Sequence, residues 1–507
     1  MGIPSYYKKL LDAIPDLIKR SHQPIDWLFM DFNCLIYHCL HRVPVYPGID
    51  GKEEWEAHFI ECIVIYCRNV IKQVAPQTGV YIAIDGVVPM AKMRQQRLRR
   101  FKSVWLKEKE QVSWDTNAIT PGTAFMKKLR IALEKMIKGK LWFLSSSDEP
   151  GEGEHKIMAQ WRFGTYEGNF AVYGLDADLI VLSLLGQVTN QLENQIWLFR
   201  EEMDKGQIAY NEQGDELFEW FSINALRDWL SYPCSDKPGF LIQYCFAMSV
   251  LGNDFLPSSL GLKIRDDGHT ELLLLIRTLK QPLVTAEGIS LDGLLNLFEQ
   301  LSQTEAERIG KYVQKKRMFA RNVEKDLPIG DNNWPLLEVE EEVLLNPADK
   351  RVLARNWQTQ YQFHFFPGWR TTNARERVIQ EYLQGMQWIW AYYTGKTENV
   401  CFNWYYPHSL PPLWEWVYDY LSVKGLPAHK KIEIRAEDIQ PVEQLALVLP
   451  LESWQLIPAC KERNFPSLAP QFFPSSFHFE SAGKRFFWEC ESLIPMPTIS
   501  ELKSIVS

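Results

Sequence analysis

Four aspartates follow short apolar runs: Asp31 after residues 27–30, Asp85 after 80–84, and Asp176 and Asp178 after 171–175. A single acid in such a place is ordinarily a helix cap or a turn residue. Here the pattern extends to Glu152 and Glu154 in Pro150-Gly151-Glu152-Gly153-Glu154-His155-Lys156, and to Asp254 in Gly252-Asn253-Asp254-Phe255. One sheet edge could collect all seven. Carboxylates crowded within a few ångströms repel one another and raise each other's pKa unless a cation lies among them. Oxygen-only donors select Mg²⁺ or Mn²⁺, and two such ions about 3.5 to 4 Å apart can clamp the attacking and leaving oxygens of a phosphodiester.

A basic segment starts a few residues beyond Asp85. Helical spacing puts Lys92, Gln96, Arg99 and Arg100 on one face, where forked arginine donors and a lysine point charge suit a terminal phosphate. The net charge of -8 argues at first against a polyanionic partner. Local field decides instead, and residues 92–109 are dense in Lys and Arg. A basic patch beside an acidic pocket is what a nuclease needs, one holding phosphate and the other metal. Zinc is disfavoured. Cys34, His38, Cys39 and His41 lie close together in an apolar helical stretch without paired C-x-x-C spacing, and so read as core packing. Cys62 and Cys67 read the same way. Nine scattered cysteines fit reduced thiols in a cytosolic compartment better than a disulfide framework.

The elements that must position these groups follow from periodicity. Residues 27–30, 80–84, 141–144 and 171–175 read as buried parallel strands, with helical patterns between them. The expected fold is α/β, a mainly parallel central sheet flanked by helices, whose ligands sit beyond the carboxyl ends of the strands. After about residue 265 the pattern becomes mostly helical. The polar, acidic stretch 315–348 reads as a linker, dividing the chain into a catalytic region 1–314 and a mostly helical, aromatic-rich region 349–507 packed on it. No apolar stretch approaches the roughly 18 uninterrupted residues of a membrane helix. The amino terminus lacks the apolar segment of a secretory signal, and Tyr6 stands where a myristoylation signal wants Ser or Thr.

At these residues the sequence strongly resembles the eukaryotic Xrn-type 5′-to-3′ exoribonucleases. The matching stretches are Met1-Gly2-Ile3-Pro4, Asp31-Phe32-Asn33, Ile84-Asp85-Gly86 with 91–101, Ile119-Thr120-Pro121-Gly122-Thr123, 150–158, 173–182 and 252–257. Trp404-Tyr405-Tyr406-Pro407 and 443–450 look like the family's second conserved region. The resemblance implies a PIN/flap-nuclease-like catalytic domain, with Asp31, Asp85, Glu152, Glu154, Asp176, Asp178 and Asp254 holding two Mg²⁺ or Mn²⁺ ions. It implies that Lys92, Gln96, Arg99 and Arg100 form a 5′-phosphate pocket. The substrate it implies is single-stranded RNA with a 5′-monophosphate, degraded processively by a monomer. Tyr37 stands where the family commonly has a base-stacking histidine, and any aromatic can meet a base face. Trp404 is the expected opposing ring, with Phe402 where the family often has another Trp. The zinc-knuckle insertion of nuclear members is not seen, which favours a cytoplasmic type, and the chain ends shortly after the second conserved region. A flap-type DNA endonuclease would carry a helix-hairpin-helix after Gly-Asn-Asp, and residues 256–268 show no clear version of it. A non-catalytic RNA-binding protein would have no need to retain seven acids.

Overall fold

A computed structural model describes residues 3, 5–107, 113–174, 176–204, 207–323, 327, 331, 334–366, 368 and 373–507. Met1, Gly2 and Pro4 of the amino-terminal motif, Lys109, Leu175, and residues 324–326, 328–330 and 332–333 of the expected linker lie outside the described residues.

The central sheet is built from β1 (Ile18–Lys19), β2 (Trp27–Asp31), β3 (Gly79–Ala83), β4 (Trp142–Ser145), β5 (Phe170–Tyr173), β6 (Ile196–Glu201) and β7 (Phe218–Ser222). In space they run β1-β7-β6-β5-β2-β3-β4. The five from β6 to β4 are parallel, and β7 pairs antiparallel with both β6 and β1. The four expected runs became β2 to β5. The strands at the other edge carried a weaker signature, because charges interrupt them: Glu201 ends β6, buried against the hydroxyls of Tyr66 and Tyr173 at 2.6 and 2.7 Å, and Glu219 sits inside β7.

Helices α1 (Asn33–Leu40), α2 (Lys52–Val74), α3 (Met90–Leu106), α4 (Ala124–Ile137), α5 (Gly153–Phe163) and α6 (Asp178–Thr189) connect the strands. Both faces of the sheet are covered, which is why the strands read as unbroken apolar runs. Leu28 and Met30 of β2, with Val80 and Ile82 of β3, pack with α1, α2 and α4. Phe29, Tyr81 and Ala83 face the other way, toward α5 and α6, as the period of two requires. His38 stacks on Tyr66 at 4.6 Å and Cys39 is buried, as core packing requires, whereas Cys34 is half-buried and His41, just past α1, is exposed and so does not pack in the core as expected.

The second half is mostly helical, through α7 (Leu291–Asn322), α8 (Ala374–Thr394), α9 (Trp414–Lys424) and α10 (Pro441–Val448). Its apolar residues join those of α5 and α6 in one core. The expected division at residue 314 falls inside α7, which continues to Asn322. Lys316, just past that point, is fully buried 2.9 Å from Glu341, which also accepts a hydrogen bond from the Gly483 amide at 2.6 Å. Helix α3 lies in the seam between the halves. Its Arg97 has no exposed surface and donates to the carbonyls of Leu447 at 2.8 Å, Pro495 at 3.3 Å and Phe472. Among the described residues no helix is long and apolar enough to cross a membrane.

Candidate active site

Parallel strands deliver their carboxyl ends to one edge, and the acids arrive there together. Asp31 is the last residue of β2, Asp85 follows β3, and Asp176 and Asp178 follow β5, with Asp178 opening α6. Glu152 and Glu154 flank the first residue of α5. The glycine between them has a steric reason: a Cβ on Gly153 would come 2.5 Å from Asp31 Oδ1. Its backbone N–H donates to Asp85 Oδ1 at 2.7 Å, which sets a carboxylate on the positive end of α5. Gly151 takes φ of 109°, a region side chains disfavour, and its N–H reaches the Val87 carbonyl at 2.7 Å.

Three polar residues hold this edge in shape. Asn33 grips Asp85 twice, donating to its carboxylate at 2.9 Å and accepting from its amide at 3.1 Å. Lys156 Nζ donates to the carbonyls of Ile84 at 2.6 Å and Ser146 at 2.8 Å, tying the ends of β3 and β4 together. Asp254 projects from a turn in which Asn253 Oδ1 accepts from the amides of Phe255 and Leu256, at 2.9 and 3.0 Å.

The seven acids form one electrostatic group. Burial, reinforced by Asp85 and Asp176, lifts Asp31 well above the usual carboxylate range. Burial and then Glu152 do the same to Glu154; burial and then Asp254 do it to Asp178. Burial also raises Glu152. Lys92 is the compensating charge. Its ammonium stands 2.8 Å from Glu152 and 2.7 Å from Asp254, and holds Asp254 below its usual range against the opposing effect of burial. One ammonium cannot balance so many carboxyls, and Asp178 Oδ1 is buried without a hydrogen-bond partner. Hard oxygen donors, excess negative charge and an orphaned carboxylate oxygen fit a divalent cation of the Mg²⁺ type. Glu152, Glu154 and His155 also bring their ligand atoms within 4.8 Å of one another.

The structure separates the other expected residues into groups. Lys92 points into the acids. Gln96 and Arg100 are buried on α3, and each keeps an unpartnered atom, Gln96 Oε1 and Arg100 Nη1. Thr120 accepts from Arg100 Nη2 at 2.8 Å, and burial lowers the guanidinium to about 10. Arg99 is exposed. Tyr37 is 40% exposed and lies close enough to Arg100 to bias its charge. Trp404 is elsewhere. Only 4% exposed, it stacks on Trp388 with ring centroids 5.0 Å apart, inside the core. Trp388 stacks in turn on Tyr392, one helical turn later, at 4.9 Å. Tyr392 donates to Glu152 at 2.8 Å. Tyr392, two rings removed from Trp404, thus reaches the acids from the second half, and its neighbour Tyr393 lies near Asp178 and Glu154.

Sequence reasoning had passed over Tyr392, Asn33, Thr120 and Lys156. Three of them lie within stretches already singled out, Asp31-Phe32-Asn33, 119–123 and 150–158. Tyr392 carries no local signal, because its partner is 240 positions away.

The chain also matches known proteins along its length. Residues 1–202 match the family described as XRN 5′-3′ exonuclease N-terminus, and residues 340–504 match the Xrn1 helical domain. Over 98% of its length the chain is 28% identical to 5′-3′ exoribonuclease 1 of Homo sapiens, covering 33% of that protein. Over 98% it is 25% identical to 5′-3′ exoribonuclease 2 of Arabidopsis thaliana, covering 66% of it. The chain thus spans between about a third and two thirds of the length of these relatives. The catalytic core of Rad2 in complex with DNA substrate aligns with 72% of this chain and 94% of its own, at 14% identity and a TM-score of 0.34, a likeness too loose to bear on function.

Proposed function

The chain belongs to the Xrn-type 5′-3′ exonuclease family, and from that premise we propose that it degrades single-stranded RNA bearing a 5′-monophosphate, releasing nucleoside 5′-monophosphates one at a time from the 5′ end. The observation that carries this reading is the pairing of two unmet demands at one edge of the sheet. The acid group lacks positive charge, and beside it Arg100 and Gln96 keep buried atoms without partners. A strand end with a terminal phosphate, lying against metal-loaded carboxylates, meets both.

In this reading Asp31, Asp85, Glu152, Glu154, Asp176, Asp178 and Asp254 hold one or two Mg²⁺ or Mn²⁺ ions. Such ions, when bound, supply an acidified water and charge stabilisation for the leaving oxygen. The chain's own residues do the rest. Arg100 Nη1 is free to donate to a phosphate oxygen while Thr120 fixes the other side of the fork. The Gln96 amide can turn to offer either its oxygen or its N–H groups. Arg99 adds charge at the exposed side, and Lys92 spans the carboxylates and the basic helix. The burial of Gln96 and Arg100 supports a preference for one phosphate over capped or triphosphorylated ends. The exposed Tyr37 ring offers a stacking surface for the first base, a contact that tolerates any sequence. Buried thiols at Cys39, Cys67 and Cys245 support action in a reducing compartment, which we take to be the cytoplasm, with the protein as a monomer.

The test is degradation of matched RNAs carrying a 5′-monophosphate, hydroxyl, triphosphate or cap, by purified protein with Mg²⁺. The monophosphate RNA should disappear fastest and yield nucleoside 5′-monophosphates. Equal rates on all four ends would remove the pocket, and internal cuts in a circular RNA would remove the exonuclease reading.

A further inference from the structure

A second cavity, of about 320 Å³, opens between the two halves and meets the acid group at Asp254. Arg94, Leu98 and Lys102 of α3 line it, a face of that helix turned away from Gln96 and Arg100. Three arginines of its wall are already paired: Arg94 with Glu491, Arg265 with Glu489 and Arg485 with Asp266. Four further cations make no direct ion pair among the described residues, although Glu491 lies near Lys102 and Lys484, and Glu489 near Lys263. Lys102 donates to the carbonyls of Trp488 and Cys490, at 2.8 and 2.6 Å, and Lys263 to the Ser258 hydroxyl at 3.0 Å. Arg99 and Lys484 also line the cavity, Arg99 near Asp254 and Lys484 near Glu491. Against these four stands one acid without a cationic partner, Glu480.

The wall also carries an unmet polar group. Tyr312 is 4% exposed, and its hydroxyl is buried without a hydrogen-bond partner. The Lys263 ammonium lies 5.4 Å from the centre of the Tyr312 ring, and burial pushes that lysine down to about 7. An anion beside Lys263 would restore its charge. Cations without a direct carboxylate contact, the part-exposed Trp488 ring and a volume at the small end of ligand sites suit one small molecule that is both anionic and flat.

We propose that this cavity binds a nucleoside 5′-monophosphate, its phosphate between Lys263 and Lys484 and its base against the Trp488 ring, which lines the cavity and is 38% exposed. The identity of the ligand as reaction product rests on the function proposed above. Since the cavity meets the acids at Asp254, a released nucleotide has a basic path away from the phosphate pocket that must receive the next strand end.

Calorimetric titration of the full chain with AMP in metal-free buffer tests this apart from activity. AMP should bind, and inorganic phosphate should bind more weakly for want of a base. Arg100→Ala should leave this AMP affinity within twofold, whereas Lys484→Ala and Lys263→Met should each weaken it at least tenfold. Lys484→Ala should melt like the wild type, so that its loss reflects the site and not the fold. Undiminished AMP affinity in Lys484→Ala, or loss of it in Arg100→Ala alone, would overturn the proposal. So would binding of a 5′-monophosphorylated oligoribonucleotide without binding of AMP, which would make the cavity part of the RNA path. Failure of the wild type to cleave RNA, read in a separate assay, would overturn the functional reading and leave the binding result standing.

Discussion

Arg97 and Arg100 lie three residues apart on α3 and are both buried, yet they meet opposite surroundings. Arg97 faces the seam between the halves, where three backbone carbonyls take its donors. Arg100 faces the sheet edge, where Thr120 takes one nitrogen and another has no partner. The contrast extends to the acids. Inside the second half Glu341 is held by Lys316 and the Gly483 amide, and Glu305 accepts from the Trp414 amide at 2.9 and 3.0 Å. At the sheet edge Asp178 keeps a bare buried oxygen. An unsatisfied buried polar group costs about 1 to 3 kcal/mol, so a fold retains several of them together mainly where something outside the chain completes them. Burial alone does not mark function, nor does a single bare atom, since Glu201 and Arg308 each keep one elsewhere; the sheet edge stands out because its bare oxygen lies among crowded carboxylates.

The comparison breaks most visibly at Asp178. Asp178→Asn should lower the rate of RNA cleavage roughly a thousandfold, the worth of several kcal/mol of charge stabilisation. Thermal melting should be unchanged or higher, since the substitution removes one of several mutually repelling charges. Wild-type turnover by this variant would take Asp178 out of the site.

The opposite pattern belongs to the core of the second half. Lys316→Met leaves Glu341 buried without its cation and should cost about 3 to 5 kcal/mol in denaturant unfolding, with cleavage per folded molecule unaltered. Trp404→Ala should fall in the same class, at about 3 to 5 kcal/mol, because its ring is packed in the core. If Trp404→Ala instead keeps its stability and releases partly digested RNA, the ring acts on substrate and not on the core.

A smaller effect is expected at Arg100. Arg100→Ala should reduce the preference for 5′-monophosphate over 5′-hydroxyl RNA by one to two decades, from the about 1.5 to 3 kcal/mol of a hydrogen bond to a charged group. An unchanged preference in competition assays would assign the phosphate to other residues. Smallest is Tyr37→Ala. Loss of one stacked base, about 1 to 3 kcal/mol, should shorten the length degraded per encounter. Stability should stay within about 0.5 kcal/mol because the ring is exposed. A large drop in melting temperature with normal run length would make Tyr37 structural.

The sequence by itself determined the sheet edge. Apolar runs of strand length marked β2 to β5, and because parallel strands all leave the sheet at the same end, the acids that follow them could be gathered on paper before any contact was known. Helical spacing likewise grouped Gln96 and Arg100. Tertiary structure alone decided where Lys92 points, since the same helical face borders both the acids and the Thr120 loop, and spacing does not choose between neighbours. It also put Trp404 in the core and Tyr392 at the acids. Those two positions are twelve residues apart in an aromatic-rich stretch where composition makes any ring a candidate. The boundary expected at 314 failed to coincide with an element end because polar composition there reflects the exposed side of α7, while Lys316 on its other side is buried against Glu341. Periodicity records which face of an element is buried. What that face is buried against depends on contacts hundreds of residues apart, and only the folded chain supplies them.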